Sequence, residues 1–270
     1  MATRVATFAD CVSQAEKDQR FGVTLVNVIL WLGVLAAVIG SMGLLLLFII
    51  PGWLIRYLLS EYMVRSIQAL GATVSEKQFP EVHRAAKEVL QRFGATVTPR
   101  IVVVGSGEVN ALALKFARRR VIVLLSELLE GIIDNPAQLR FLLAHECCHH
   151  ALDHGPRGIF EMHKPAKYRQ ARELTCDNAG VVAANDAKEA RMTIRRLCVG
   201  NRLSERLDEL ELKKEALSIY SGFSGWLLRR KLSHPPAGTR ITNIDGFARQ
   251  LGMQVQATGA AGLMQYPLGS

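Results

Sequence analysis

The stretch "LLAHECCHHALDH", Leu142 to His154, places four of the chain's seven histidines within ten positions. His145 and His149 stand four apart, with Glu146 directly after the first. On a helix, positions i and i+4 share one face about a turn apart. Two imidazoles so placed can reach a single ion at roughly 2.0–2.1 Å, the usual zinc–nitrogen distance. Glu146 then stands where it can take a proton from a water activated by that ion. His-Glu-x-x-His arises by chance in about one chain in a hundred of this size, so context must carry the reading. Leu139, Leu142 and Leu143 supply the apolar flank of a core helix, and Cys147 and Cys148 are small enough for a buried one.

Catalytic zinc needs three protein ligands and an open position, so a third ligand must come from another element. "YRQARELTCDNAG" (Tyr168–Gly180) offers Glu173 and Asp177, again four apart on one helical face. One carboxylate can bind metal while the other orients an imidazole. A surface pair of Glu173 with Arg169 is the bland alternative. Cys147, Cys148 and Cys176 could form a competing thiolate site. Adjacent helical positions, however, diverge by about 100°, so the vicinal pair cannot both share the histidine face. Those cysteines read better as small packing residues.

Working outward, Asn135-Pro136 opens the histidine helix, which runs to Gly155, and a second long helix covers about Tyr168–Ala184. Upstream, "FPEVHRAAKEVLQRFG" carries an apolar stripe of Val82, Ala85, Ala86, Val89, Leu90 and Phe93, with Pro80 in the first turn and Gly94 as the stop. His83 falls on its polar side. "RIVVV", "NALALKF" and "RVIVLL" read as strands, the last two flanking a basic turn. Further helices reach Arg230, a short one follows "LSHPPAGTR", and the tail from Thr258 reads as poorly ordered.

From Phe21 to Ile55 there are 35 residues without a charge. One helix of that length would measure about 50 Å against a hydrocarbon core of roughly 30 Å. Gly40, Ser41 and Gly43 supply a break, so the stretch predicts a transmembrane hairpin: Gly22–Gly40 out and Gly43–Leu59 back, with Pro51-Gly52 kinking the second limb. One long tilted span is the alternative. The mixed charges before Phe21 argue against a cleaved signal peptide. Five cysteines without a framework spacing suit a reducing compartment, which with a hairpin puts the catalytic part on the cytosolic side of an integral membrane protein. The expected division is residues 1–20 as an N-terminal segment, 21–59 as the membrane hairpin, 60–257 as the catalytic domain and 258–270 as a flexible tail.

Net charge is +9. The densest cluster, Arg118-Arg119-Arg120, lacks aromatic interleaving or any nucleic-acid motif, so the excess reads as a basic surface facing anionic lipid and no nucleic-acid partner is expected.

The combination of His145-Glu146-Cys147-Cys148-His149, Glu173-Leu174-Thr175-Cys176-Asp177 and Ser233-His234-Pro235-Pro236 with Arg240 resembles the HtpX-like zinc metallopeptidases, membrane-associated relatives of the CAAX-prenyl protease. Asn110-Ala111 before a strand and the strand-to-helix "VIVLLSELLE" match as well, and the resemblance covers Val74–Gly246. It implies an α+β chain: a transmembrane hairpin, then a mainly helical zincin-type domain with a small sheet. It implies one zinc ion held by His145, His149 and Glu173, with Glu146 as general base and Asp177 beside the ligands or assisting proton transfer. His234 and Arg240 match positions where they would help to stabilise an oxyanion. Asn110, Ala111 and Leu112 would open an edge strand that binds substrate backbone. His154 recurs at a similar place, His163 reads as a solvent-facing loop residue, and His150 as a bystander. The chain departs from the family in its Cys-Cys spacer and in "ALDHGPRGIFEMHKPAKYRQAR", which is too short and polar to add the membrane spans that many members carry there.

The expected function is a membrane-anchored zinc endopeptidase, a hydrolase of protein or peptide substrates. The alternatives are a non-catalytic, zinc-stabilised membrane scaffold or holdase, which would need the ligands but not Glu146, and a membrane-tethered nucleic-acid binder, whose affinity would fall steeply with salt.

Overall fold

The computed structural model describes residues 7–96, 98–116, 119–154, 164–232 and 234–255. Arg118 of the basic turn, the helix stop Gly155, His163, Ser233 and the tail from Thr258 lie outside these residues.

The uncharged stretch folds as two helices, α1 (Gln14–Gly40) and α2 (Leu46–Leu70). The break falls at the expected small residues, where Met42 and Gly43 take left-handed backbone at φ 50° and 86°. Both helices are long and apolar enough to cross a membrane. Both also extend beyond the apolar run, α1 by its polar first turns and α2 by about its last four, and these extensions tie the apolar pair to the rest of the protein.

Four strands form one sheet in the order β1-β2-β4-β3: β1 (Gly71–Thr73), β2 (Arg100–Val104), β3 (Ala111–Phe116) and β4 (Arg119–Leu125). β2 and β4 run parallel and the other pairs antiparallel. The strand sequences are apolar at nearly every position because both faces are covered. Val102, Val121, Val123 and Leu125 meet Val64 from the end of α2. Ile101, Val103, Ile122 and Leu124 face the main core. Alternation along a strand thus divides one apolar run between two layers.

The main core is built on α3 (Pro80–Arg92), α4 (Ser126–Ile132), α5 (Pro136–Ala151) and α6 (Ala166–Ala184). α3 buries Val82, Ala85, Ala86 and Val89, the predicted stripe. Asn135 caps α5, its side chain accepting from the Ala137 and Gln138 amides, with Pro136 at the first helical position. α5 and α6 lie against one another so closely that Gly180 faces the Phe141 ring. α7 (Ala187–Val199), α8 (Glu209–Ser218), α9 (Gly222–Lys231) and α10 (Ala237–Gln250) complete the chain, with α7 and α10 closing a second core around Phe141, Ile194, Ile241 and Ile244. This is the mainly helical, small-sheet zincin arrangement that the motifs implied.

Residues 8–16 pack against the rest of the chain. Phe8 stacks on Phe93 with ring centroids 4.1 Å apart. The Asn178 side-chain amide donates to the Cys11 carbonyl at 2.9 Å, and the Ser13 hydroxyl donates to the Ala171 carbonyl at 3.0 Å. Glu16, fully buried, accepts from the Thr175 hydroxyl at 2.6 Å and stands 3.3 Å from His154 Nε2. A buried carboxylate demands such partners, and they fasten the head of α1 to α6.

Candidate metal centre

α5 and α6 place their functional side chains face to face. His145 Nε2 and His149 Nε2 are 3.2 Å apart, and each lies 3.4 Å from an oxygen of Glu173. The three ligand atoms fall within 4.8 Å of one another. A tetrahedral ion with bonds of roughly 2.0–2.1 Å would separate its ligand atoms by about 3.3–3.4 Å, so the observed spacings suit zinc. The donor chemistry agrees. His145 Nδ1 stands 3.1 Å from Asp177 Oδ1, which makes it the protonated nitrogen and turns the Nε2 lone pair toward His149 and Glu173. Glu173 Oε2 is buried and accepts no hydrogen bond among the described residues. Lone pairs converging in this way require a cation between them.

Ionisation follows the same logic. Burial opposes charge on His145, but the carboxylates of Asp177 and Glu173 outweigh it and push the imidazole up to about 10. Burial likewise opposes charge on Glu173, but His149 and His145 hold its carboxyl well below the usual range.

Asp177 is fully buried and accepts two hydrogen bonds from Arg240, from Nε at 2.8 Å and Nη2 at 2.6 Å. This places Asp177 behind His145, away from the ligand cluster. Two of the five Arg240 donors are committed to Asp177, so Arg240 fixes the orienting carboxylate while it also borders the cleft. His234 is exposed at the mouth, its Nε2 3.4 Å from Glu173 Oε2. Glu173 thus faces histidines and makes no surface pair with Arg169, whose guanidinium donates to the Lys164 carbonyl at 2.9 Å.

The cluster opens into a cleft of about 310 Å³. Glu146 lines it beside His145, and Asn110, Ala111, His234 and Arg240 border it too. Among the described residues β3 is an edge strand, paired with β4 alone. Leu112, expected with Asn110 and Ala111, is 42% exposed and does not line the cleft, as strand alternation dictates. The motifs missed the apolar wall formed by Phe141 with Ile194, Leu197 and Cys198 of α7. The spacing of Ile194 and Leu197 on an amphipathic helix was the available signal.

His149, His154 and Cys176 form a second close group that shares His149. It is the weaker ligand set, because burial pushes the Cys176 thiol well up and a ligand must be thiolate. Cys147 faces elsewhere, toward a cavity beside α3 and β2. His150 is buried rather than idle: its Nε2 lies 3.2 Å from the Val121 carbonyl and ties α5 to β4. His83, half-buried, stands 3.9 Å from Glu76.

Residues 76–165 match the family model described as peptidase family M48. No curated protein and no solved structure matches the chain. The matched segment holds α3, β2, β3, β4, α4 and the histidine helix; Glu173, Asp177 and Arg240 lie beyond it and join the site through the packing of α6 on α5 and of α10 on α6. With the match carrying His-Glu-x-x-His and the fold bringing a carboxylate to it, the comparison supports an M48 metallopeptidase of the HtpX-like and CAAX-protease-like kind.

Proposed function

We propose that this chain is a membrane-anchored, zinc-dependent endopeptidase acting on protein or peptide substrates. The observation that carries this reading is the convergence of His145 Nε2, His149 Nε2 and a Glu173 carboxylate oxygen in a cleft that Glu146 also lines. Those three side chains would hold the ion. A zinc ion bound there would supply Lewis acidity.

The remaining work belongs to the chain's own residues. Glu146 accepts the proton of the attacking water and returns it to the leaving amine. Asp177, held by Arg240, keeps His145 in the tautomer that leaves Nε2 free. His234, at the mouth, is placed to donate to the developing oxyanion. The free edge of β3, beginning at Asn110-Ala111, offers backbone groups to an extended peptide, and the apolar wall from α7 receives a side chain. The helices α1 and α2 anchor the domain in the bilayer.

The experiment is metal analysis of purified protein, paired with cleavage of an unfolded protein substrate. We expect close to one zinc per chain, loss of cleavage on chelation, and loss of zinc from the Glu173→Ala variant. Full zinc retention in Glu173→Ala would remove it from the ligand set.

A further inference from the structure

Beyond α1, α2 and the turn between them, exposed large hydrophobic side chains gather in one place among the described residues. Leu217, Ile219, Phe223, Trp226, Leu227 and Leu228 lie at the end of α8 and along α9, with Phe223 78% exposed. Within α9 only Gly225 is buried. The Phe223 and Trp226 rings stack on each other 5.7 Å apart. The helix holds no acidic residue and ends in Arg229, Arg230 and Lys231. Arg230 lies over Trp226 at 4.0 Å, so a cation sits against the aromatic pair. One helix end needs few cations to answer its dipole; three beside exposed Phe, Trp and Leu make the composition of an interfacial helix.

The position of α9 says what covers it. The Gln170 side-chain amide donates to the carbonyls of Arg229 and Leu232 at 3.2 and 3.1 Å, binding the end of α9 to the first turns of α6. At that same end of α6, Lys164 and Pro165 border a small hollow with Gly22, Val23, Val26 and Asn27 of α1. α9 therefore lies beside the point where the apolar part of α1 leaves the folded domain.

We propose that α9 docks on an anionic lipid surface, its aromatic and leucine side chains entering the headgroup region and its basic last turn meeting lipid phosphates. This rests on the reading of α1 and α2 as membrane anchors. Two residues after Leu232 the chain reaches His234 and Pro235 at the cleft, so a docked α9 holds the mouth of the active site near the bilayer surface.

The test uses the full chain in bilayer discs containing phosphatidylglycerol, with lipids brominated near the headgroup end of the acyl chain. The protein has three tryptophans, Trp31, Trp53 and Trp226. Trp31→Phe/Trp53→Phe leaves Trp226 as sole reporter, and Trp31→Phe/Trp226→Phe leaves Trp53. Brominated lipid should quench Trp226 emission at least about twofold, and Arg230→Glu/Lys231→Glu should restore it. Emission that acrylamide quenches from water but brominated lipid does not would overturn the proposal. Shielding from both would overturn it as well, showing α9 covered by protein, whether a second copy or another partner. If Trp53 is quenched by lipid and Trp226 is not, anchoring stands and the docking of α9 fails. If Trp53 is not quenched, the anchoring reading itself fails.

Discussion

At the residue scale the site turns on Asp177, a carboxylate that need not touch the metal. It takes one hydrogen bond from His145 and two from Arg240, so substituting it disturbs an imidazole's orientation and leaves a buried guanidinium without its partner. Residues that orient a metal-bound histidine typically contribute 10–100-fold in affinity. Asp177→Asn should therefore weaken zinc binding by about that factor in a chelator competition, and wild-type affinity would deny Asp177 this positioning role. His150 makes a second claim at this scale. Burial holds its pKa down at about 4, from an ordinary 6.5. The unfolded chain thus takes up the proton first, and stability is lost as pH falls from about 6.5 toward about 4, by on the order of 3 kcal/mol. Thermal melts of metal-free protein should show this slope, and His150→Gln, which keeps a donor for the Val121 carbonyl, should flatten it. An unchanged slope would mean that His150 is not held neutral.

At the element scale the decisive contact is α5 on α6. A Cβ added at Gly180 would stand 2.6 Å from two atoms of the Phe141 ring, and that ring stacks near His145 with centroids 6.5 Å apart. Alanine favours a helix over glycine by up to about 1 kcal/mol, but overpacking typically costs about 1–3 kcal/mol, so the clash should win. Gly180→Ala is expected to lower the Tm by several degrees and to loosen zinc; a raised Tm would show that the interface can give. Much at this scale was legible in the sequence. The α3 stripe, the three strands, the Asn135 cap and the facing pair of helices all follow from local periodicity and capping chemistry. What escaped was non-local. β1 is only three residues long and exists because β2 offers it an edge. Glu16 reads as one charge in a polar leader, and only the folded chain brings it to Thr175 and His154. The Leu112 side chain points away from the cleft, which the strand's sequence alone did not say.

At the scale of the whole molecule, one continuous framework joins a pair of long apolar helices to the metal centre. The head of α1 is fastened to α6, the helix that carries Glu173, and the end of α2 covers one face of the sheet whose edge borders the cleft. The residues proposed as ligands, and their spacing, stand in two short motifs. The clamp of Arg240 on Asp177 does not, because it spans 63 residues and depends on how α10 crosses α6. In the proposed function Glu146 is the residue that separates catalysis from ligation, since a general base is needed for hydrolysis and not for holding the ion. The direct measurement is the rate at which Glu146→Gln cleaves an unfolded protein substrate, with zinc content measured on the same sample. An amide of nearly the same shape cannot accept the proton, and general-base catalysis typically contributes about 10²–10⁴-fold. The account predicts a fall of at least that size with zinc close to one per chain. Cleavage at the wild-type rate by zinc-loaded Glu146→Gln would contradict it and leave a zinc-stabilised scaffold in its place.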